Sequence, residues 1–159
     1  MSASNSVRRR LEAQGFSGLD DATLAEVGPW LRWSPGLCTI FMIAGVTLQS
    51  PAILWALAAT AGLGAVLPFH PFDLLYNHGA RHLTGTRPLP HHGPQRRFAC
   101  GMASVWLVTT GWAFQSGAAM LGYALGIPLI LVAGLVSVTH ICIPSMIYNA
   151  LLRPRVAEA

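Results

Sequence analysis

Of 159 residues, 53% are apolar, only 10% are charged, and there is no lysine. A soluble domain carries about 25% charged residues, so this chain cannot coat a globule with polar side chains. Composition excludes an ordinary soluble fold and points to one compact domain dissolved in lipid. The ten arginines fall at or before 32, between 81 and 97, and at 153 and 155. Residues 33–72 and 98–152 carry no charged side chain.

In chain order, residues 1–18 are polar and predicted disordered. Residues 19–34 predict a short amphipathic segment on the membrane interface. Asp20 can cap it, Leu19, Leu24 and Val27 form its apolar face, and Gly28-Pro29 stop it. Trp30 and Trp33 follow at headgroup depth. Each uncharged window then suffices for two crossings of a ~30 Å hydrocarbon layer. The spans fall at about 35–49, 51–69, 97–115 and 118–150, with a loop at 70–96 and a tail at 153–159.

The apolar runs are continuous and lack strand alternation, which excludes a β-barrel. The expected fold is an all-α membrane protein: four transmembrane helices as two similar hairpins, after a short interfacial amphipathic helix. Every arginine lies on one side of such a bundle, so both termini and the 70–96 loop are expected in the cytoplasm. The protein is then a multi-pass inner-membrane protein. Topology accounts for the basic balance without nucleic acid. No apolar h-region precedes the first span, so no cleaved signal is expected.

The windows resemble each other. Each starts near a cysteine, Cys38 or Cys100, turns at Gln-Ser, and exits through Pro and Tyr-Asn. This is the pattern of a weak parallel repeat. Small residues at spacing four suggest packing faces, one of Ala118, Gly122 and Gly126, another ending at Gly64. Pro128 is expected to bend the fourth helix.

Chemistry could reside in five groups at similar depth: the redox candidates Cys38, Cys100 and Cys142, and the cofactor or metal candidates His70 and His140. Thiolate and imidazole can ligate a metal or haem iron, or run thiol exchange. Cysteine packs equally well as a small hydrophobe, and no close Cys-x-x-Cys is present. An odd count in a reducing compartment argues against a structural disulfide. In the loop, Asp73, Tyr76, Asn77, Arg81, Arg87, Arg96 and Arg97 are assigned to turn-forming and lipid-headgroup contacts. His91-His92 sit in a proline-rich extended run. The loop holds no nucleophile–base–orienter set. With no ionisable group inside the spans, ion-coupled transport is disfavoured.

At HPFDLLYNHGARHL, RRFACG and the closing CIPSMIY, the chain resembles small bacterial four-helix membrane proteins grouped as a domain of unknown function. These are DoxX-like in general form, and the resemblance covers about 30–152. Many carry Cys-x-x-Cys at the last motif, and some are linked with thioredoxin-like proteins. The resemblance thus implies membrane thiol chemistry. The matching positions are Cys142 and Ser145, so one thiol of the pair is replaced.

The leading expectation is a non-enzymatic scaffold or accessory subunit, partnered by the lipid bilayer and by a membrane protein or a second copy. The alternatives are a thiol-redox or sulfur-handling protein using Cys142 with Cys38 or Cys100, served by a thioredoxin-like partner, and a haem or metal binder through His70 and His140. No cofactor is otherwise predicted.

Overall fold

The computed structural model describes residues 5–152, and every regular element within them is helical. The tail expected at 153–159 and the first four residues lie outside the described residues.

Helix α1 spans Asn5–Ala13 and α2 spans Asp21–Val27. The Asp20 carboxylate accepts the Thr23 N–H at 3.3 Å, and the Gly28 N–H closes onto the Leu24 carbonyl, capping α2 at both ends. The expected disorder over 1–18 is replaced by structure in its described part. Leu11 and Phe16 are buried, and Arg8 pairs with Asp21 while donating to the Leu19 carbonyl at 3.0 Å. Leu24 and Val27 join Leu11, Phe16, Tyr76 and Leu89 in a small core of their own. The apolar face expected against lipid is therefore covered by protein. Trp30 and Trp33 likewise turn inward onto the Tyr76 ring, at centroid distances of 5.2 and 5.8 Å.

A 3₁₀ turn, Trp30–Arg32, leads into α3, Trp33–Thr47. Then come α4, Pro51–Val66; α5, Pro71–Leu75; a π turn, Tyr76–Ala80; α6, Arg81–Thr84; α7, Pro94–Gln115; α8, Ala119–Thr139; and α9, Ile143–Leu151. Helices α3 and α7 each pack against both α4 and α8. The result is an up-down-up-down four-helix bundle, with Met42, Val46, Leu54, Leu57, Leu107, Phe114 and Leu129 at its centre.

The two hairpins close by the same hydrogen bond. Ser50 N–H donates to the Gly45 carbonyl at 2.8 Å after Gln49 at φ 46°, and Ala118 N–H donates to Ala113 at 2.9 Å after Gly117 at φ 77°. Both are helix ends with a left-handed residue before a 6→1 bond. The structural repeat thus aligns Gln49 with Gly117, two residues from the match suggested by the Gln-Ser pairs. Ala118 is the exposed N-cap of α8 and not part of a packing face. Gly122 and Gly126 do serve the bundle. A Cβ would lie 2.5 Å from the Phe114 ring at Gly122 and 2.6 Å from Val46 at Gly126.

Several boundaries shift for local reasons. Helix α4 stops at Val66 because Leu67 precedes Pro68 and is extended, at ψ 157°. Helix α7 starts at Pro94, so Arg96 and Arg97 fall in its first turn. The fourth span continues through Pro128 but breaks at His140, which is left-handed at φ 57°. Carbonyls freed at that break are taken by the N-terminal segment: Arg10 donates to Thr139 at 3.0 Å and Gln14 to His140 at 2.7 Å.

Helix α8 is long and apolar enough to cross a membrane, with a mean hydropathy of 2.2 and 17% of its apolar window buried. Helices α3, α4 and α7 also turn large apolar side chains outward, among them Ile40, Leu63, Val105 and Trp112. The segment Pro71–Thr84 bends 87° from α4 and lies across the end of the bundle where α3 and α7 begin.

Candidate functional site

At that end the four helices leave a cavity of about 140 Å³. Helix α3 contributes Ser34 and Cys38, α7 contributes Arg96 and Cys100, and the breaks after α4 and α8 contribute His70 and Cys142. The remaining wall is mostly aliphatic, with Met42, Leu107, Leu129 and the Trp106 ring deeper in. All three cysteines are free thiols and all three line this one space.

His70 and Cys142 reach it by the same device. Each is the extended N-cap of a short helix that begins where a long one has ended, α5 after α4 and α9 after α8. Three residues on, each meets its own partner. Asp73 accepts the His70 backbone N–H at 3.2 Å, and Ser145 hydroxyl lies 3.1 Å from the Cys142 sulfur while also donating to the Gln95 carbonyl. Asp73 is buried, and its second oxygen accepts the Ser34 hydroxyl.

The His70 ring is oriented by the backbone. Phe72 N–H donates to Nδ1 at 3.2 Å; a backbone N–H can only donate, so neutral His70 carries its proton on Nε2. Nε2 lies 3.8 Å from the Cys38 sulfur. The imidazole is therefore a donor toward Cys38, suited to hold a thiolate rather than to deprotonate a thiol. Gly64 makes room for this ring: a Cβ there would lie 2.9 Å from His70 Cδ2 and 3.4 Å from the Cys100 sulfur. Cys38, Cys100, Cys142 and Arg96 all line this cavity, and the Arg96 charge acts on both Cys38 and Cys100.

Burial pushes the basicity of His70 below that of an ordinary imidazole, with the Arg96 charge acting in the same direction. His92 is buried beside the same charges and held down at about 4 by burial, then by Arg96. The extended run expected at 91–92 is thus divided, His91 outward and His92 inward. His140 is held at about 4 by burial and by Arg32, whose Nε donates to His140 Nε2 at 2.8 Å.

His140 does not line the cavity, and each of the two histidines has one ring nitrogen already engaged. The cavity is also smaller than the ~300–1,000 Å³ typical of drug-sized ligands. The pair is not arranged to clasp a porphyrin. Among the described residues, no group of three His, Cys, Asp or Glu side chains is arranged to hold a metal ion.

The loop residues distribute differently. Tyr76 is enclosed, with its hydroxyl 2.5 Å from that of Thr86. Asn77 accepts the Leu89 N–H at 2.7 Å. Arg87 pairs with Glu26 at 3.3 Å, and Arg97 caps α4 by donating to Ala65 at 2.9 Å and Val66 at 2.7 Å. Arg81 is half-buried, with no acceptor for its Nε among the described residues. Arg96 is turned inward over the Phe16 ring, 5.1 Å from its centroid.

The model of a family described as Domain of unknown function (DUF4395) matches residues 29–153. The chain belongs to the DUF4395 family. No curated protein and no solved structure matches it. The match begins after α1 and α2, so Gln14, which lines the cavity, comes from outside the DUF4395 region. Sequence reasoning missed Gln14, Ser34 and the inward turn of Arg96. Adjacent residues in a helix point about 100° apart, and nothing in the sequence says which of Arg96 and Arg97 turns inward.

Proposed function

We propose that this DUF4395 protein is a membrane thiol protein that carries out dithiol chemistry on a small molecule in the cavity among α3, α4, α7 and α8. The observation that supports this reading is the convergence of Cys38, Cys100 and Cys142 on one space with His70 and Arg96. Arg96 and the His70 N–H favour a thiolate, the nucleophilic form, and burial opposes them. In the reaction proposed, a protein thiolate attacks a small disulfide RSSR, forming a mixed disulfide and expelling RS⁻. A second protein thiolate then displaces the other RS⁻. The protein loses two electrons as one S–S bond forms, and two RSH leave with the two thiol protons. Cys100 with Cys142 is the working pair, Cys38 beside His70 the third thiol, and a thioredoxin-like protein returns the electrons.

The same reading makes α3, α4, α7 and α8 four crossings of the inner membrane, with the cavity on the cytoplasmic side, and makes kinship in general form with DoxX-type proteins part of the picture. Outward apolar side chains on all four helices support it, since soluble monomers rarely expose apolar patches of that extent. Helices α3 and α4 have 15 and 16 residues, about 23 Å at 1.5 Å per residue. They therefore require a locally thinned bilayer.

Hydroxyethyl disulfide tests the chemistry. With Cys38 replaced by serine, the solubilised protein should end with an internal disulfide and no adduct, whereas the same protein with Cys100→Ser added should stop at a mixed disulfide that adds the mass of one hydroxyethylthio group. Thiols that stay unmodified in the first protein, or adducts that accumulate equally in both, would overturn the reading. A second reading, an accessory subunit for a membrane partner or a second copy, draws on the same outward apolar surface. Crosslinking in native membranes tests it, and a strictly solitary chain would count against it.

A further inference from the structure

Arg96 presents a guanidinium with no direct polar partner among the described residues, although the Asp73 carboxylate acts on the same His70 and His92 rings. The Arg96 side chain is 7% exposed, it lines the cavity, and no carboxylate lies within ion-pair distance of it among the described residues. Its guanidinium N–H groups find no acceptor there either; its recorded contact is the Phe16 ring. Asp73, the buried carboxylate of this neighbourhood, already accepts from Ser34 and from the His70 N–H. Gln14, across the cavity, directs its amide N–H₂ to the His140 carbonyl. The guanidinium N–H groups, which face no protein acceptor among the described residues, are left to whatever enters the cavity that Arg96 lines. A guanidinium fork matches an oxyanion in both geometry and charge.

We infer that the cavity is a binding site for a small anion, a carboxylate or inorganic oxyanion with one negative charge, held by the Arg96 guanidinium. Its volume of about 140 Å³ accommodates a group of a few heavy atoms, since about 10–15 Å³ on the same measure already holds one water. The mostly aliphatic wall lowers the local dielectric around the pair, which strengthens it. The anion sits beside Cys38 and Cys100, so an occupied cavity would offset the charge that Arg96 lends to their thiolates. The site does not depend on thiol reactivity, and this separates the inference from the proposed dithiol chemistry. The same oxyanion chemistry is available from a free solute and from a lipid phosphate entering at the cavity mouth.

The experiment is thermal unfolding of the full chain in neutral detergent, followed by tryptophan fluorescence. Sodium formate, acetate or nitrate replaces sodium gluconate at constant ionic strength, and a separate arm adds phosphatidylglycerol to the micelles. A ligand that binds only the folded chain raises Tm saturably. The inference expects a saturable rise with at least one small anion and none with gluconate. The rise should persist when Cys38, Cys100 and Cys142 are all replaced by serine, shrink in Arg96→Lys, and vanish in Arg96→Gln. A rise from phosphatidylglycerol alone supports the site and assigns its anion to the headgroup. Equilibrium binding of ¹³C-formate to the wild type, displaced by nitrate, provides a second readout should Arg96→Gln fail to fold. No saturable response to any anion or to the lipid overturns the inference, as does an equal response in Arg96→Gln.

Discussion

His70 Nε2 lies 3.8 Å from the Cys38 sulfur, while Nδ1 of the same ring is held by the Phe72 N–H. This fixes which nitrogen faces the thiol and leaves Gly64 as the wall behind the ring. A methyl group at Gly64 must push the imidazole off Cys38, because a Cβ would sit 2.9 Å from its Cδ2. Overpacking of this kind costs about 1–3 kcal/mol. Gly64→Ala should therefore lower Tm and slow alkylation of Cys38, with Cys38 singled out by replacing the other two thiols. Unchanged alkylation would show that His70 does not support that thiolate.

The buried histidines set a pH dependence. His92 titrates at about 4 in the folded chain, lowered by burial and then by Arg96, against about 6.5 unfolded. Between these values the unfolded chain binds more protons, so stability falls as pH drops from about 6.5 to about 4 and flattens below. His70 is shifted in the same direction. Denaturant unfolding across that range should show the decline, and His92→Gln should reduce its slope. A flat profile through pH 5 would contradict the burial of these rings.

Ser145 stands three residues after Cys142, and its hydroxyl is 3.1 Å from the Cys142 sulfur. Ser145→Cys should create a pair able to oxidise internally. Mild oxidation of that variant, with Cys38 and Cys100 replaced by serine, is expected to remove both remaining thiols from maleimide labelling, and dithiothreitol to return them. Persistent labelling of both would mean that the two helix-start positions diverge.

Gly126 carries the contact between α8 and α3, where Val46 leaves no room for a side chain. Gly126→Val should destabilise the protein by about 1–3 kcal/mol without altering its oligomeric state. Met120→Ala, at an 84% exposed position, serves as the control. A change of oligomeric state in Gly126→Val with stability retained would move this ladder from the bundle interior to a subunit interface.

The four long helices were legible because charge is absent from two long windows, and depth alone brought Cys38, Cys100, Cys142 and His70 to one end. What depth cannot specify is the helix face, so the convergence of the thiols on one cavity required the packing itself. Helix α1 escaped notice because Leu11 and Phe16 are isolated apolar residues in a polar stretch; their burial depends on α2 and Tyr76, not on local periodicity. Arg96 and Arg97 look alike in sequence and separate only in three dimensions, one buried in the cavity and one capping α4. The repeat misled by two residues because identical Gln-Ser pairs drew the alignment, whereas backbone geometry equates Gln49 with Gly117.

The claim that the three thiols share one cavity is tested most directly by a dibromobimane, which fluoresces only after both of its arms have alkylated sulfur. The account puts Cys100 between the other two thiols of the cavity that all three line, so the solubilised wild type should become fluorescent within a single chain, as should Cys38→Ser and Cys142→Ser, while Cys100→Ser should stay dark. A dark wild type whose cysteines are all singly alkylated, or fluorescence undiminished in Cys100→Ser, would contradict the account.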